Sequence, residues 1–332
     1  MSLTCQLHET RHEGFAALHV SNGQIALTLV PRLGAKIVSI QHVPSHTEWL
    51  WTNPYLPYQN PIYGASYIRE FDVGGLDECF PSVGPAFFPV TPWAGTPVPD
   101  HGELWSQPWD VKIVEASERR IALSASCYGV RLPYRFERTL IVETDRAAAR
   151  LEYRAENLSP FELPFIWSIH PLFRIEPGMR LRMPAAVTRA RVDFSTNDFL
   201  GKMGTLLHWP VAANALGQTL DLSQIQSPCL QQGVKLFTLP LQGDELIETG
   251  LTDTSGEHGF YFRFLPNEIT HIGVWMNYAG WTPLDRPPYY NLALEPCIGA
   301  SDSLTVAVNH WREHGILAPK QGRAWSLEIA LT

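Results

Sequence analysis

Apolar and polar residues alternate with a period of two wherever this chain shows a regular pattern, which is typical of half-buried β-strands rather than helices. The alternation runs through residues 134–142, 150–156 and 325–331. Branched and aromatic side chains carry it, and these side chains favour a pleated sheet. Near the N-terminus, residues 25–30 and 36–40 flank a short turn, which predicts a hairpin. We therefore expect an all-β chain, folded as a large antiparallel β-sandwich with few short helices.

The distribution of glycine and proline between the predicted strands indicates one domain. The 24 glycines and 27 prolines are spread along the chain rather than gathered in a linker, so residues 1–332 are predicted to form a single unit. One helix is expected, from Ser303 to about Glu313, with Asp302 or Ser303 as its N-cap. Residues 51–109 lack a sustained period and are rich in Pro, Gly, Tyr and Trp. They are expected to form long loops over one face of a sheet, where binding sites are often built.

The charge and the cysteine content limit the classes of binding partner and the cellular compartment that we expect. The chain has 33 acidic and 25 basic residues, a formal net charge of −8, and no Lys/Arg run, which argues against nucleic acid or a membrane surface as a partner. No stretch of 18 apolar residues and no signal-like start is present. Five scattered cysteines without a C-x-x-C pair favour reduced thiols. We expect a cytoplasmic protein, either a monomer or a homodimer.

Two titratable residues stand on the more polar faces of predicted strands, each immediately before a proline. Alternation places His170 on the same face as Ser168, and Glu295 on the same face as Asn291. A following proline favours extended backbone and offers no ladder donor, so each residue is expected to end its strand. A satisfied half-buried histidine and an internal ion pair remain open as structural interpretations.

A third candidate is His101, which lies between Asp100 and Gly102 in a sequence rich in turn-forming residues. On its own this pattern indicates only a turn. The neighbouring indoles of three tryptophans suit the apolar face of a sugar ring, although they would fill a core equally well. These tryptophans are Trp93, Trp105 and Trp109.

Three segments resemble, in order and spacing, the His-Gly, His and Glu motifs of the aldose 1-epimerase (galactose mutarotase-like) family. They are residues 100–105 around His101, 167–173 around His170, and 294–302 around Glu295. Residues 29–37 resemble the family's first hairpin. The resemblance implies the family's β-sandwich fold and the interconversion of the α and β anomers of a hexose. It also implies that Glu295 is the base, that His170 is the acid, and that His101 polarises the sugar ring.

The chemistry explains these residue types. Opening a cyclic hemiacetal removes the proton of the C1 hydroxyl while the ring oxygen gains one, so an acceptor and a donor must flank the ring. Glutamate and histidine, with free pKa values of about 4.3 and 6.5, suit these tasks near neutral pH. No metal and no organic cofactor is required, and the expected partner is a small-molecule sugar substrate.

Candidates for holding the sugar are less well defined. Arg69 is a plausible equivalent of the family's substrate-binding arginine. Asp77 and Glu78 suit sugar hydroxyls, but acidic residues after Gly-Gly are also common in turns. Trp275 and Asn277, which share one strand face, are the proposed substitute for the family's sugar-binding aspartate.

Three other functions remain open. His310, Glu313 and His314 match the H-x-x-E-H pattern of inverted zinc proteases, but Gly315 interrupts the helix that this pattern needs. A non-catalytic carbohydrate-binding or sensing protein would keep the same fold. A relative that acts on a phosphorylated sugar would need a cluster of Arg or Lys near the site.

Overall fold

A computed structural model describes residues 4–283 and 285–332. Within these residues strands dominate, and every pairing between two strands of the sheets is antiparallel. The strands are, in chain order, β1 (Gln6–His12), β2 (Phe15–Ser21), β3 (Ile25–Val30), β4 (Lys36–His42), β5 (Thr47–Glu48), β6 (Leu76–Cys79), β7 (Ala86–Phe87), β8 (Pro97–Val98), β9 (Asp110–Ala116), β10 (Arg120–Tyr128), β11 (Tyr134–Glu143), β12 (Ala148–Asn157), β13 (Leu163–Phe165), β14 (Trp167–Phe173), β15 (Arg180–Arg182), β16 (Arg189–Ser195), β17 (Leu206–His208), β18 (Val211–Ala213), β19 (Thr219–Asp221), β20 (Gln232–Thr238), β21 (Ile247–Thr252), β22 (Gly259–Phe264), β23 (His271–Tyr278), β24 (Tyr290–Ile298), β25 (Gly315–Leu317) and β26 (Gly322–Leu331).

Two large sheets organise these strands. The first has twelve strands in the order β1-β2-β3-β4-β6-β14-β24-β23-β20-β16-β17, with β5 beside β4. The second has eight, in the order β15-β21-β22-β26-β12-β11-β10-β9. Three two-stranded ribbons, β13-β25, β18-β19 and β7-β8, complete the described part of the chain. The predicted all-β, antiparallel fold is confirmed, and the N-terminal hairpin is β3-β4.

Aromatic side chains fill the space between the sheets. Trp167, on β14 of the first sheet, is fully buried and lies 5.1 Å from the ring of Trp325 on β26 of the second. Tyr153 on β12 stacks on Trp325 at 5.6 Å. Because side chains alternate along a strand, the residues that flank Trp167 point away from this core, onto the outer face of the first sheet. That face carries the candidate site.

Two local predictions are wrong. The strands do not end at His170 and Glu295: β14 continues to Phe173 and β24 to Ile298. The reason is that the ladders on their other sides, β6-β14 and β23-β24, continue through the prolines. The predicted helix is also shorter than expected. Its turns, Leu304–Val306 and Ala307–Trp311, end where Arg312 adopts a left-handed φ of 61°.

The remaining helical turns are Pro31–Leu33, Tyr67–Phe71, Thr196–Asp198 and Pro228–Leu230. No helix among the described residues is long and apolar enough to cross a membrane. All five cysteines are free thiols, and four of them are buried.

Candidate active site

The centre of the site is an interruption in the ladder between β14 and β24. Pairing stops after Ser168 and resumes at Leu172 with the register unchanged, so His170 stands directly across from Glu295. A proline follows each of these two residues and supplies no N–H to the ladder. The sequence thus opens the sheet at the point where the imidazole and the carboxylate meet.

Glu295 lies at the centre of a buried hydrogen-bond network. Its carboxylate is fully buried, and the Lys235 ammonium donates to both oxygens, at 2.7 and 2.6 Å. The Ser168 hydroxyl donates to Oε2 at 3.2 Å, and Nε2 of His170 lies 3.9 Å from Oε1. The same ammonium lies 3.2 Å from Oδ1 of Asp302. One cation therefore joins two carboxylates beside His170.

His101 reaches the site from a tight turn. It adopts a left-handed φ of 59°, and Gly102 follows with a φ of 74°. A Cβ on Gly102 would lie 2.1 Å from the carbonyl oxygen of Phe80, so only glycine fits at this position. The predicted turn is therefore confirmed, and its geometry depends on the glycine after the histidine.

The His101 ring is held on two sides. Tyr67 stacks on it with ring centroids 4.0 Å apart, and Oδ1 of Asp100 lies 2.9 Å from Nδ1. The His170 ring lies edge-on to it, with ring centroids 5.0 Å apart. The two imidazoles and Glu295 are therefore brought together at one place.

A cavity of about 250 Å³ opens beside the two imidazoles, and Glu295 lies buried behind His170 rather than in the cavity wall. Its polar wall combines residues of the loops over the sheet with residues of the sheet itself: Asp72, Asp100, His101, His170, Lys235, Asn291 and Asp302. Four aromatic side chains, Phe194, Trp275, Trp281 and Tyr289, line it as well, and Ile68, Val83, Gly84 and Leu172 complete the wall. Apolar walls with a few convergent polar groups are typical of small-ligand sites, and the volume suits one small molecule. Residues of the expected loop region, 51–109, supply part of this wall, but the expectation of loops alone is wrong at Leu76–Cys79, which form β6 within the large sheet.

The two histidines differ in protonation because their neighbours differ. Burial lowers the pKa of His170 to about 4, against an opposing effect of Glu295. Burial would also lower the pKa of His101, but the Asp100 carboxylate beside it outweighs burial and raises that pKa above its ordinary value. At neutral pH, His170 is neutral, whereas His101 holds its proton more firmly than a free histidine does.

The carboxyl groups of Glu295, which is buried beside His170, and Asp302, which lines the cavity, also differ in protonation. Burial raises the pKa of Glu295, yet the Lys235 ammonium and the nearby imidazoles bring it below its ordinary value. Burial and the neighbouring Asp193 raise the pKa of Asp302 to about 7, although Lys235 opposes them. Near neutral pH, Glu295 is therefore ionised, whereas Asp302 exchanges its proton readily.

The model of the aldose 1-epimerase family matches residues 17–196. The chain belongs to the aldose 1-epimerase family. The match includes His101 and His170, and Glu295 lies outside it. No curated protein sequence matches the chain significantly.

Solved structures support the fold. A candidate aldose 1-epimerase from Klebsiella pneumoniae is 15% identical, with a TM-score of 0.72 over 98% of this chain and 81% of that one. A galactose mutarotase-like protein from Clostridium acetobutylicum is 12% identical, with a TM-score of 0.68 over 99% of both chains. A galactose mutarotase-like protein from Lactobacillus casei is 14% identical, with a TM-score of 0.64 over 95% of this chain and 100% of that one. At these identities the likeness concerns the fold.

Among the expected sugar-binding residues of this epimerase-family chain, Asp77 lies behind the cavity wall. It stands across from His170 in the β6-β14 ladder and is 1% exposed. Its carboxylate accepts hydrogen bonds from the Lys36 ammonium and the Tyr67 hydroxyl. Since Tyr67 stacks on His101, Asp77 contributes to the site by fixing the ring that supports this histidine.

Glu78 points to the opposite face of the sheet, into the sandwich core. Arg138 donates to it at 3.0 Å, and the Tyr153 hydroxyl and Trp167 indole each donate at 2.9 Å. These three donors occupy a carboxylate that is 1% exposed. The structure therefore places Glu78 away from the cavity, as a buried link between the two sheets.

The other three expected sugar-binding residues are placed differently from one another. Arg69 is exposed and is not among the residues that line the cavity. Trp275 lines the cavity, with its ring 5.5 Å from that of Trp281. Asn277 is fully buried; its amide donates to the Trp281 carbonyl at 2.9 Å and accepts from the Gly280 and Trp281 amides. Asn277 therefore holds the loop that presents Trp281.

The zinc-protease pattern does not assemble. Glu313 forms a two-pronged ion pair with Arg191 at 2.9 and 3.0 Å. The helical turn ends before Glu313, with Arg312 in a left-handed conformation, so His310 and His314 do not share a helical face. Among the described residues, no group of three or more His, Cys, Asp or Glu side chains is arranged to hold a metal ion.

Sequence reasoning missed several residues that line the cavity. Lys235 interrupts the otherwise apolar end of β20, and a cation in such a strand is the signal that was available. The sequence suggests only a helix N-cap at Asp302 and gives no sign that this residue lines the cavity. Asn291, 1% exposed, lines the cavity with an Oδ1 that has no hydrogen-bond partner among the described residues. The expected indoles of Trp93, Trp105 and Trp109 are not part of the wall.

Proposed function

We propose that this protein interconverts the α and β anomers of a hexose by acid–base ring opening and closure. The observation that supports the proposal best is the opposed pair of His170 and Glu295, 3.9 Å apart at the ladder interruption. His101 completes the arrangement from the loop side. Two imidazoles in the wall of one small cavity, with the buried Glu295 carboxylate beside His170, provide the donor and the acceptor that a cyclic hemiacetal requires.

In the proposed reaction Glu295 accepts the proton of the C1 hydroxyl. The C1 oxygen becomes a carbonyl, the bond from C1 to the ring oxygen breaks, and an imidazole protonates that oxygen. Rotation about C1–C2 presents the other carbonyl face, and the reverse steps close the ring as the other anomer. All atoms and protons balance within the cycle, and no cofactor takes part.

The proton donor is best described as the pair of histidines. The family resemblance gives the acid role to His170, whose pKa burial holds at about 4. His101, supported by Asp100, has a pKa raised above its ordinary value and so holds a proton more firmly than His170 does. We assign proton storage to His101 and contact with the ring oxygen to His170, and this assignment explains why both are present.

Replacement of the base tests the proposal. Glu295→Gln keeps the shape of the site but removes the acceptor, so anomer exchange should fall by roughly 10²–10⁴-fold while sugar binding persists. Saturation-transfer NMR on a panel of free and phosphorylated aldoses measures both quantities. Glu78→Gln is the control for changing a buried glutamate outside the cavity, on β6, which β14 separates from β24. Because this change also leaves Arg138 without its carboxylate partner, the folded fraction of each variant is measured alongside exchange. Equal exchange in Glu295→Gln and in the parent would refute the proposed mechanism.

One observation favours a second candidate, a non-catalytic sugar-binding protein. Lys235 occupies both oxygens of Glu295, and the carboxylate is fully buried. If the protein is only a sugar-binding protein, the parent binds sugars without accelerating the exchange of their anomers. A phosphorylated ligand is less well matched to either function, because Asp72, Asp100 and Asp302 face the cavity and would repel a phosphate.

A further inference from the structure

Lys235 is the one charged residue of β20 that turns toward the candidate site. It is 2% exposed and lies on a strand whose last six residues are all buried. Its ammonium contacts both oxygens of Glu295 at 2.7 and 2.6 Å and lies 3.2 Å from Asp302. An ammonium buried in this way is costly unless it is paired, so its position requires a partner of opposite charge. Glu295 is the partner that it holds with two hydrogen bonds.

The route from Lys235 to Glu295 crosses an intervening strand. β23 lies between β20 and β24, and the residue of β23 across from Glu295 is Gly273. A Cβ at this glycine would lie 3.3 Å from Oε2 of Glu295 and 3.0 Å from the Phe237 ring. The missing side chain therefore leaves room for the Glu295 carboxylate above β23, where the Lys235 ammonium meets it. The contact between Lys235 and Glu295 therefore involves β20, β24 and the glycine of β23 that lies between them.

We propose that Lys235 is a positioning residue of the epimerase site, which holds the Glu295 carboxylate ionised and fixed in orientation beside His170. This inference rests on the proposed function for its catalytic consequence. Without the ammonium, the buried carboxylate would keep only the Ser168 hydroxyl bond at 3.2 Å. Burial would then favour its protonated form, and a protonated Glu295 does not accept the C1 proton.

Several other titratable groups act on Glu295 from the surrounding elements. They are His170 on β14, Cys79 on β6, Asp193 on β16, Cys297 on β24, His101 on its turn, and Asp302 after β24. The imidazoles lower the pKa of Glu295, and burial raises the pKa values of the thiols well above neutrality. Asp302 and Asp193 are like charges. Lys235 is therefore the main source of opposing charge.

The test compares Lys235→Gln, Lys235→Met and Lys235→Arg. Gln retains a donor of similar length without charge, Met retains only the apolar stem, and Arg retains the charge. The pKa of Glu295 is measured by NMR titration of the ¹³C-labelled carboxyl groups, with Glu295→Gln to assign the signal. We expect a rise of at least about one unit in the Gln and Met variants and less in the Arg variant.

The pH profile of anomer exchange gives the functional readout. The acid limb should move to higher pH by the same amount in the uncharged variants, which is about tenfold in rate per unit at pH values below the limb. Arg should restore the parent profile in large part. A lower rate at every pH with an unmoved limb and an unchanged carboxyl pKa would overturn the proposal, since a purely structural role predicts that result.

Two further outcomes are informative. If the parent shows no anomer exchange, the proposed function fails, but the carboxyl titration still decides the role of Lys235. If Lys235→Met does not fold, the double variant Lys235→Met/Glu295→Gln removes both charges and should recover a folded protein. A double variant as unstable as the single one would contradict the pairing, and the Gln and Arg variants carry the titration in that case.

Discussion

The Arg138–Glu78 pair offers the sharpest stability test of the fold. The Arg138 side chain is fully buried between the sheets and donates to Glu78 at 3.0 Å. Burial outweighs Arg138 and raises the pKa of Glu78 above its ordinary value, so the pair as a whole supplies little net stability. Removing one partner is different, because it leaves an uncompensated charge in the core.

The proposed perturbation is Arg138→Met. Breaking a buried pair costs about 3–5 kcal/mol. Because Tyr153 and Trp167 still donate to Glu78, we expect the lower end, about 3 kcal/mol. For a chain of this size, with an unfolding entropy of about 2.1 cal/mol/K per residue, that corresponds to a loss in Tm of roughly 4 °C. Chemical denaturation of the variant and the parent measures the difference directly.

Arg135→Met is the matched control on the same strand. Its guanidinium lies 2.6 Å from Glu137, and both side chains are about a third exposed, at 32% and 28%. Such a pair contributes about 0–1 kcal/mol. A double-mutant cycle with Glu78→Gln isolates the coupling within the buried pair. If Arg138→Met costs no more than Arg135→Met, the placement of this ion pair between the sheets is refuted.

Two further predictions concern the His101 turn. Gly102→Ala should cost at least about 2 kcal/mol in unfolding free energy, because φ is 74° and the new Cβ would meet Phe80. Gly64→Ala, at a φ of 78° with open space around it, is the control and should cost about 1 kcal/mol; equal losses would argue against the close approach. Asp100→Asn removes the carboxylate that raises the pKa of His101, so that pKa should fall and the basic limb of the exchange profile should move to lower pH. The His101–Asp100 pair contributes its full stability below the unfolded histidine pKa of about 6.5, and this stability is lost as pH rises through the raised folded value. NMR titration of His101 in the variant and in the parent measures the shift. An unchanged His101 pKa would contradict the role of Asp100.

Most of the correct structural predictions came from the local alternation of apolar and polar residues. The period of two placed Ser168 and His170 on one face of β14, with Trp167 on the other, and the structure has the indole in the core and the other two beside Glu295. It succeeded because side-chain direction in a strand depends only on position along the chain.

Contacts between distant strands were not predictable in the same way. Asp77 and Glu78 follow Gly-Gly and look like turn residues, but they lie on β6 in the middle of the large sheet. Their partners, Lys36 and Arg138, are 41 and 60 residues away. Nothing local in the sequence marks such pairs, because they depend on which strands become neighbours.

The prolines after His170 and Glu295 show how one signal supported both a wrong and a useful inference. Each was expected to end a strand, since proline withholds a ladder donor. In the sheet both prolines fall within the same interrupted stretch of the β14-β24 ladder, so the missing donors cost the sheet little and the strands continue. The same interruption puts an imidazole and a carboxylate directly across from each other. A sheet that placed these residues opposite each other without the prolines would retain a continuous ladder, and the opening at which the two groups meet would be lost.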